Sequence, residues 1–301
     1  MRLYKKGKVK EVYEAENGEF EFLFTDQISV FDKVIPTTIP HKGETLCRTS
    51  AYWFQQASKL GIRTHFLSLP AGNRMRVRRV SIPEPGVPLK NTDRSVLVPL
   101  EVIARYYVAG SLHDRLTDGD ISPLALGFGN SAVPEYGAEL PEPFVEFTTK
   151  LEKTDRLLTH AEAAELSGLG REGLEKIREV VIKLDQEINR KVRSRGLLHV
   201  DGKKEFGIDA EGEVMLVDTL GTADEDRWWD LKLHAEGKTV ELSKEAVRQH
   251  YRETGYHEML MDARKAHKTE PGIPPLPPQM VSNVTDIYVG LYERITGEKF
   301  R

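Results

Sequence analysis

The chain is poor in the features that define several classes of protein. Its 301 residues contain a single cysteine, Cys47, so no disulfide can form within the chain and a reducing cytoplasm is the expected compartment. No apolar run approaches the ~20 residues of a membrane-spanning helix, and the first residues lack the apolar stretch of a signal peptide. Without paired cysteines or an HExxH pattern, the sequence gives no reason to expect zinc.

The overall composition is that of a globular protein. Charged residues make up 30% of the chain and hydrophobic residues 39%, which suits one large or two modest domains. The formal net charge of -4 argues against general binding to nucleic acid. We therefore expect small-molecule partners rather than nucleic acid or a membrane. No segment of the sequence predicts an interface between copies of the chain, and a homo-oligomer is one of the possible states.

The N-terminal third is predicted to be mostly β-structure. Two strand-like runs flank Asn17-Gly18, which is a strong signal for a two-residue hairpin turn. Residues 32–40 are polar and contain prolines, which predicts a loop. The predicted strands cover residues 8–14, 20–25, 64–69, 75–82 and 95–108, and a helix is predicted over 46–60.

A larger part with both helices and strands is predicted to follow. We place a β-rich lobe at residues 1–97 and a larger lobe at residues 98–301, which makes the expected fold class α+β with two lobes. The proline-rich segment 271–278 is expected to be an extended spacer, with a ligand for a polyproline-binding module as the alternative. Helices are predicted over residues 160–166, 172–193, 244–251, 258–265 and 279–295.

Two acidic strands carry the most informative pattern of the chain. They cover residues 200–208 and 214–218. Side chains alternate between the faces of a strand, so Asp201, Lys203 and Glu205 are expected to share one face.

The turn between these strands would set their register. A two-residue turn at Glu211-Gly212 places Glu205 directly opposite Asp218. Opposed carboxylates repel each other unless a cation lies between them, and such a pair with room for water and phosphate oxygens suits Mg²⁺. We therefore predict that Glu205 and Asp218 bind a metal ion, with an ordinary solvated sheet face as the alternative. The same register places Met215 and Val217 beside Phe206 and Ile208 in an apolar layer.

Arginine and small residues suggest phosphate binding in residues 98–111. Arg105 supplies a rigid cationic fork, and Ala109-Gly110-Ser111 adds free amides and a hydroxyl group. Together these groups can hold a phosphate monoester. A strand that ends in a Gly-Ser turn, with Arg105 in an ion pair, is the alternative.

A further arginine follows the second acidic strand. Residues 221–230 form a polar segment that ends near two tryptophans, and Arg227 directly precedes Trp228. An arginine held against aromatic bulk is suited to bidentate binding of a phosphate or a carboxylate.

The first predicted strand opens with Gly7-Lys8-Val9-Lys10. Glycine lets a ligand approach the backbone closely, and Lys8 and Lys10 would lie on the same strand face. Two ammonium groups beside accessible amides could clamp a polyphosphate. Alternating lysines on an edge strand also serve simply to discourage aggregation.

One apparent nucleotide-binding motif is set aside. Residues 168–173 match GxGxxG but lie between two predicted helices, whereas the dinucleotide fingerprint requires a preceding strand. We predict a helix–helix connection there. The sequence also lacks a P-loop of the GxxxxGK[ST] type.

The motifs taken together resemble those of the SAICAR synthetase (phosphoribosylaminoimidazole-succinocarboxamide synthase) family. Residues 98–111 resemble one signature of that family, and residues 200–207 resemble another. The similarity continues in order along nearly the whole chain, in segments 3–4, 7–13, 25–32, 40–43, 147–152, 244–248, 275–277 and 292–297.

The resemblance implies an ATP- and Mg²⁺-dependent acid–amino-acid ligase of de novo purine biosynthesis, with ATP in a cleft between two lobes. It would join L-aspartate to the carboxylate of carboxyaminoimidazole ribonucleotide (CAIR) and release ADP and phosphate. An acyl phosphate is the expected intermediate, because a free carboxylate is a poor electrophile. Such chemistry depends on positioning and charge neutralisation rather than on a protein nucleophile. A small-molecule kinase with the same ATP and metal site, and a non-catalytic ATP-sensing domain, are the alternatives.

The resemblance also implies roles for individual residues. ATP would be contacted by Gly7, Lys8, Val9, Lys10 and Leu97, and by the two metal ligands Glu205 and Asp218. CAIR would be bound by Arg105, Gly110, Ser111, Asp201, Lys203, Arg227 and Arg248. Catalytic roles are implied for Lys203, Asp201, Arg105, Ser111, Arg227, Asp32 and Lys150, and Lys42 lies in another matching motif.

The chain departs from the usual pattern of the family at several positions. Thr219 and Gln249 stand where an acidic residue is common, Ala223 replaces a proline, and Gly202 replaces a bulkier residue. The segment after Lys150 is also one residue short. These departures suggest a divergent member of the family. The aspartate side of the expected pocket is the least defined, because the sequence assigns no residues to it.

Overall fold

The computed structural model describes residues 1–152 and 154–301. It contains two compact units, and each is assembled from segments that are distant in the sequence. The predicted lobe boundary after residue 97 stays a prediction. The first unit consists of residues 1–52, 66–78 and 241–301, and the second consists of residues 53–65 and 79–240.

Five strands of the first unit form an antiparallel sheet. In spatial order they are β1 (Arg2–Lys6), β2 (Lys10–Glu14), β3 (Phe20–Phe24), β7 (Arg74–Val77) and β6 (Phe66–Ala71). Two further strands, β4 (Gln27–Val30) and β5 (Lys33–Thr38), pair with each other. The helices are α6 (Glu245–Glu253), α7 (Tyr256–Lys265), α8 (Pro278–Thr296) and the first part of α1 (Lys42–Lys59).

The N-terminal strands correct two predictions. The hairpin at Asn17-Gly18 is present, but its loop has three residues, Glu16–Gly18, because Glu14 pairs with Phe20 and the Ala15 N–H donates to the Glu19 carbonyl. The predicted loop over residues 32–40 is wrong, since β5 lies within it. Pro36 is tolerated because β5 belongs to a two-stranded sheet, where the missing N–H can face away from the partner strand.

The second unit is built around a six-stranded antiparallel sheet. Five strands lie in the order β10 (Leu157–Leu158), β9 (Glu139–Thr149), β8 (Val96–Tyr107), β11 (Leu197–Ile208) and β12 (Val214–Val217). A sixth strand, β13 (Asp226–Asp230), pairs with β11. The helices are the last part of α1, α2 (Gly110–Asp118), α3 (His160–Ser167), α4 (Gly170–Arg193) and α5 (Leu231–Ala235).

Helix α4 covers one face of this sheet at β11. Its apolar residues recur at helical spacing and form a stripe that is buried except at Val180, which is half-buried. The GxGxxG match at residues 168–173 joins α3 to α4, which confirms the predicted helix–helix connection. The buried members of the stripe are Leu174, Ile177, Val181, Leu184 and Ile188.

Five of these strands and helices of the second unit were not predicted, namely β9, β10, β13, α2 and α5. Pro141 and Pro143 lie within β9, which hides its strand character. Among the residues described, no helix is both long enough and apolar enough to span a membrane. Cys47 is buried, and burial raises the pKa of its thiol, which is typical of a packing residue rather than a nucleophile.

Candidate active site

Charged side chains are concentrated on one face of the sheet in the second unit. The two central strands bring them together, because Asp201 of β11 pairs with Arg105 of β8 and Glu205 pairs with Glu101. Lys203 lies between these two pairs. The prediction that Asp201, Lys203 and Glu205 share a face is confirmed by this register.

Two lysines bind the carboxylates of this face in a dense network. The Lys203 ammonium lies 2.8 Å from Glu101, 3.2 Å from Glu225 and 3.4 Å from Glu205. Lys150, which directly follows β9, lies 2.7 Å from Glu205 and 3.4 Å from Glu101. Each lysine therefore bridges the same two glutamates.

Electrostatics make the charged form of Glu205 unfavourable. Burial raises its pKa, and the nearby Asp218 carboxylate raises it further, although Lys150 and Lys203 oppose the shift. Burial opposes the charged form of Lys150, but Glu205, Asp218 and Glu101 together outweigh it and raise the lysine pKa. The site therefore contains more negative charge than its two lysines neutralise.

Asp218 reaches this face by a route that the sequence did not predict. The predicted register, with Asp218 opposite Glu205, is wrong by one residue, since Glu205 pairs with Val217. In that register a continued strand would turn Asp218 away from Glu205. Instead the strand ends at Val217 and Asp218 has a left-handed backbone with φ of 64°. This break in alternation keeps the carboxylate close enough to act on both Glu205 and Lys150.

The same shift in register rearranges the apolar residues of the hairpin. Met215 and Val217 were predicted to lie beside Phe206 and Ile208, but Phe206 pairs with Leu216. Met215 and Val217 instead pack with Leu97, and Val80 and Leu151 border the cluster. An apolar patch therefore lies on the charged face, next to Glu205.

A second group of site residues surrounds Arg105. Its guanidinium donates to Ser111 at 3.1 Å and to Asp201 at 3.5 Å, and Arg227 also donates to Asp201. A Cβ at Gly110 would lie 2.7 Å from Arg227 Nη2, and Gly110 has φ of 51°. Only glycine therefore lets Arg227 pack at this turn.

Two residues of this group were missed by the sequence analysis. Glu146 is buried and accepts hydrogen bonds from Arg105 Nε and from Arg115 Nη1, each at 2.7 Å. It lies in β9, and no signal pointed to it because β9 was not predicted. Arg115 lies on α2, one turn beyond Ser111. Glu146 therefore fixes the orientation of two cationic side chains at once.

The remaining predicted residues belong to the first unit. Gly7 lies in a tight turn, where its N–H donates to the Lys10 carbonyl at 2.8 Å. Lys8 precedes β2, so the prediction that it shares a strand face with Lys10 is wrong. Lys8 instead pairs with Asp32 at 2.7 Å. Val9, the next residue of this turn, accepts from Thr25.

Other cations of the first unit are also held in place. Lys10 lies 4.4 Å from the centre of the Phe22 ring. Lys42 is fully buried, with its ammonium 5.6 Å from the Tyr288 ring centre. Arg248 donates to Glu245 at 2.9 Å.

The predicted metal ligands fit Mg²⁺ but do not form a complete protein cage. Within residues 1–152 and 154–301, no group of three or more histidine, cysteine, aspartate or glutamate side chains could hold a metal ion by itself. Mg²⁺ commonly takes one or two carboxylates and fills its octahedral shell with water and substrate phosphates. Glu205 and Asp218 would supply two such carboxylates, and a cation between them would relieve the repulsion by which Asp218 helps to raise the pKa of Glu205.

Comparison with known proteins identifies the family. The model of the SAICAR synthetase family matches residues 3–263. Phosphoribosylaminoimidazole-succinocarboxamide synthase of Thermoplasma acidophilum is 50% identical over 300 residues and that of Thermoplasma volcanium is 49% identical, with 100% of both chains covered in each case.

Solved structures agree with the sequence comparison. The SAICAR synthase of Saccharomyces cerevisiae in complex with SAICAR has a TM-score of 0.76 and 26% identity, covering 100% of this chain and 96% of that one. A type-2 SAICAR synthetase in complex with ADP has a TM-score of 0.70 and 26% identity, with 100% of both chains covered. The chain thus belongs to the SAICAR synthetase family.

Proposed function

We propose that the protein joins L-aspartate to the carboxylate of CAIR, using ATP and releasing ADP and phosphate. The observation that supports it best is the charged face of the second unit, where the two-lysine network adjoins the arginine group around Asp201. A relative with 50% sequence identity is named for this activity. Structures of similar proteins have been solved in complex with ADP or SAICAR. These ligands are the nucleotide product and the succinylated product of the proposed reaction.

The reaction proceeds in two steps in this proposal. The CAIR carboxylate attacks the γ-phosphorus of ATP, the bond to the bridging oxygen breaks, and ADP leaves. The amine of aspartate then attacks the acyl phosphate, loses a proton to solvent, and expels inorganic phosphate to form the amide. Both steps concentrate negative charge, so positioned cations supply the main stabilisation.

Each group of side chains has a distinct task. Arg105, Ser111 and Arg227 bind the phosphate of the ribonucleotide, since two guanidinium forks and a hydroxyl group suit a phosphate monoester. Lys150 and Lys203 hold the reacting carboxylate near the γ-phosphate and neutralise charge as it develops. Asp201 keeps Arg105 and Arg227 oriented.

Nucleotide binding divides into base and phosphate recognition. The apolar patch of Leu97, Met215 and Val217 accepts the adenine ring, because it lies beside the carboxylates on the same face. Gly7, Lys8, Val9 and Lys10 bind the triphosphate through backbone amides and ammonium groups. Glu205 and Asp218 would hold Mg²⁺, which when bound neutralises the phosphates and favours transfer of the γ-phosphoryl group.

Residues outside these groups have less direct tasks in the proposal. Arg248 and Gly110, which begins α2, are each assigned to binding of the ribonucleotide. Asp32 takes part in catalysis by holding Lys8, with which it pairs at 2.7 Å.

The activity is tested with purified protein and a full set of substrates. ATP, Mg²⁺, CAIR and L-aspartate should give ADP and SAICAR in equal amounts, measured by chromatography. Omitting aspartate should abolish sustained ADP release, which separates a ligase from a kinase. Sustained ADP release without aspartate, or no SAICAR with every substrate present, would contradict the proposal.

A further inference from the structure

A β-bulge lies directly beneath the arginine group. Where β11 pairs with β13, His199 is opposite Trp228 but Asp201 is opposite Arg227, so Val200 is an extra residue on β11. A bulge of this kind interrupts alternation and changes the direction of the following side chain. Here it is followed by Asp201, which accepts hydrogen bonds from both Arg105 and Arg227.

A buried hydrogen bond spans this bulge on the opposite face of the sheet. His199 Nε2 lies 2.6 Å from Asp226 Oδ2, and both side chains are fully buried. His199 precedes the bulge, whereas Asp226 pairs with Gly202, which follows it. The contact therefore ties the two ends of the bulge to each other.

Gly202 provides the space for this contact. A Cβ at residue 202 would lie 2.2 Å from Asp226 Oδ2 and 2.8 Å from His199 Nε2, distances that real side chains do not adopt. Any other residue would push the two partners apart. This accounts physically for a glycine at a position where the family usually has a bulkier residue.

Other buried groups hold the Asp226 side of the contact. Lys204 lies 2.7 Å from Asp185 and 3.9 Å from Asp226, and all three side chains are fully buried. Tyr106 donates to Asp185 at 2.9 Å. The positive charge of Lys204 therefore partly balances the buried carboxylates of Asp185 and Asp226. The contact between His199 and Asp226 belongs to this buried network.

We propose that His199 and Asp226 are positioning residues for the ribonucleotide site. Their hydrogen bond fixes the bulge at Val200 and thereby holds Asp201 opposite Arg227 in the geometry that binds the phosphate. Neither residue faces the substrate, so both act through the backbone of β11 and β13. The inference rests on the proposed function, because its readout is the binding of CAIR.

Two substitutions of His199, by side chains of similar length, test its hydrogen bond with Asp226. His199→Gln retains a hydrogen-bonding amide at the position of Nε2, whereas His199→Met removes the hydrogen bond without a large change in volume. We expect H199M to lower kcat/KM for CAIR by about 10- to 100-fold through a raised KM, because a small displacement of a binding group is costly. H199Q should recover most of this loss, and the KM for ATP should not change in either variant.

Further variants distinguish positioning from general damage. Tyr106→Phe removes a buried hydrogen bond from the same network without touching the bulge, so it should keep the wild-type KM for CAIR. Gly202→Ala should reproduce the effect of H199M, which keeps the inference testable if H199M does not fold. Thermal melting establishes which variants are folded.

The outcomes separate this inference from the proposed function. Wild-type protein that forms no SAICAR would contradict the function. Active wild-type protein with folded H199M and G202A variants of unchanged KM for CAIR would overturn the positioning role alone. An equal rise in the KM for ATP and for CAIR would overturn it too, because it would indicate a general structural defect.

Discussion

At the scale of single residues, the charged face contains more carboxylates than lysines. Four carboxylates, Glu101, Glu205, Asp218 and Glu225, interact with Lys150 and Lys203. The ionised form of Glu205 is unfavourable, since burial and Asp218 both raise its pKa. A site that stores unfavourable negative charge is prepared to bind a cation, and the free energy of unfolding without the cation is lower as a result.

Replacement of Glu205 should separate stability from activity. Glu205→Gln keeps the shape but removes the charge, so turnover should fall by at least ~100-fold. In the presence of a chelator the variant should melt no lower than the wild-type protein, because the ionised form of Glu205 is disfavoured by folding. Melting with ATP and Mg²⁺ provides the second measurement, and the stabilisation seen with wild-type protein should be reduced. Wild-type turnover in this variant would contradict the metal assignment.

Replacement of Glu146 should weaken the binding of the ribonucleotide CAIR rather than the binding of ATP. Glu146→Gln leaves Arg105 and Arg115 with a neutral partner, and a charged partner contributes more than a neutral one to such hydrogen bonds. We expect the KM for CAIR to rise by about 10-fold, which corresponds to ~1.4 kcal/mol. Steady-state kinetics with each substrate varied in turn measure the change.

Glu139→Gln provides the matched control for this prediction. Glu139 lies in the same strand and pairs with Arg193 at 3.2 Å, but at the exposed surface and outside the site. Its replacement should leave both KM values unchanged, as expected for an exposed ion pair. An equal effect of the two substitutions would show that Glu146 has no specific role at the site.

At the scale of elements, hairpin loops decide which side chains meet. Both hairpins that the sequence predicted have three-residue loops, with glycine as the last residue: Gly18 with φ of 74° and Gly212 with φ of 90°. Three-residue loops with a left-handed glycine are nearly as suitable for such sequences as two-residue turns. The strands could therefore be predicted from alternation, but the register could not.

The site shows the same limit on sequence prediction. Asp201, Lys203 and Glu205 could be placed together, because a period of two residues fixes their common face. The contribution of Asp218 depends on a left-handed backbone that its sequence does not signal. Glu146 depends on a proline-containing strand that pattern analysis does not detect. Local periodicity therefore predicted which side chains share a strand face. It did not predict how distant segments pair with each other.

Helix α2 offers a matched pair of glycines. Gly110 begins the helix and Gly119 follows it, and both have positive φ, so replacement by alanine is costly for the backbone at each position. Only at Gly110 would the added Cβ meet a side chain, Arg227, whereas nothing lies within 4 Å at Gly119. Both variants should lose about 1 kcal/mol in the free energy of unfolding, measured by urea denaturation.

Only Gly110→Ala should impair the ribonucleotide site. Displacement of Arg227 should raise the KM for CAIR, whereas Gly119→Ala should retain wild-type kinetics. A similar rise in both variants would indicate that backbone strain, and not contact with Arg227, is responsible.

At the scale of the whole molecule, local sequence patterns do not predict how distant segments combine. The first unit combines residues 1–52 with residues 241–301, and no local pattern relates two segments so far apart. The formal net charge of -4 likewise conceals the local clustering of lysine and arginine on one sheet face. Both properties arise from long-range packing.

Global stability also depends on the buried pair beneath the site. Burial raises the pKa of Asp226 to about 7 and lowers the pKa of His199 to about 4. Between about pH 4 and 6.5 the folded pair therefore holds one proton on Asp226, and the unfolded pair holds one proton on histidine. Because the number of bound protons is equal, this pair makes no contribution to the pH dependence of the free energy of unfolding in that range.

Replacement of either His199 or Asp226 should therefore make the free energy of unfolding depend on pH, in opposite directions for the two variants. In Asp226→Asn only His199 titrates, and because its pKa is lowered by folding, stability relative to wild type should rise as the pH rises from about 4 to 6.5. In His199→Met only Asp226 titrates, and because its pKa is raised by folding, relative stability should fall as the pH rises from about 4 to 7. Each slope should reach at most ~1.4 kcal/mol per pH unit, measured from urea denaturation midpoints. The double variant should run parallel to the wild-type protein, and single variants that also ran parallel to it would show that the buried pair does not exchange its proton on folding.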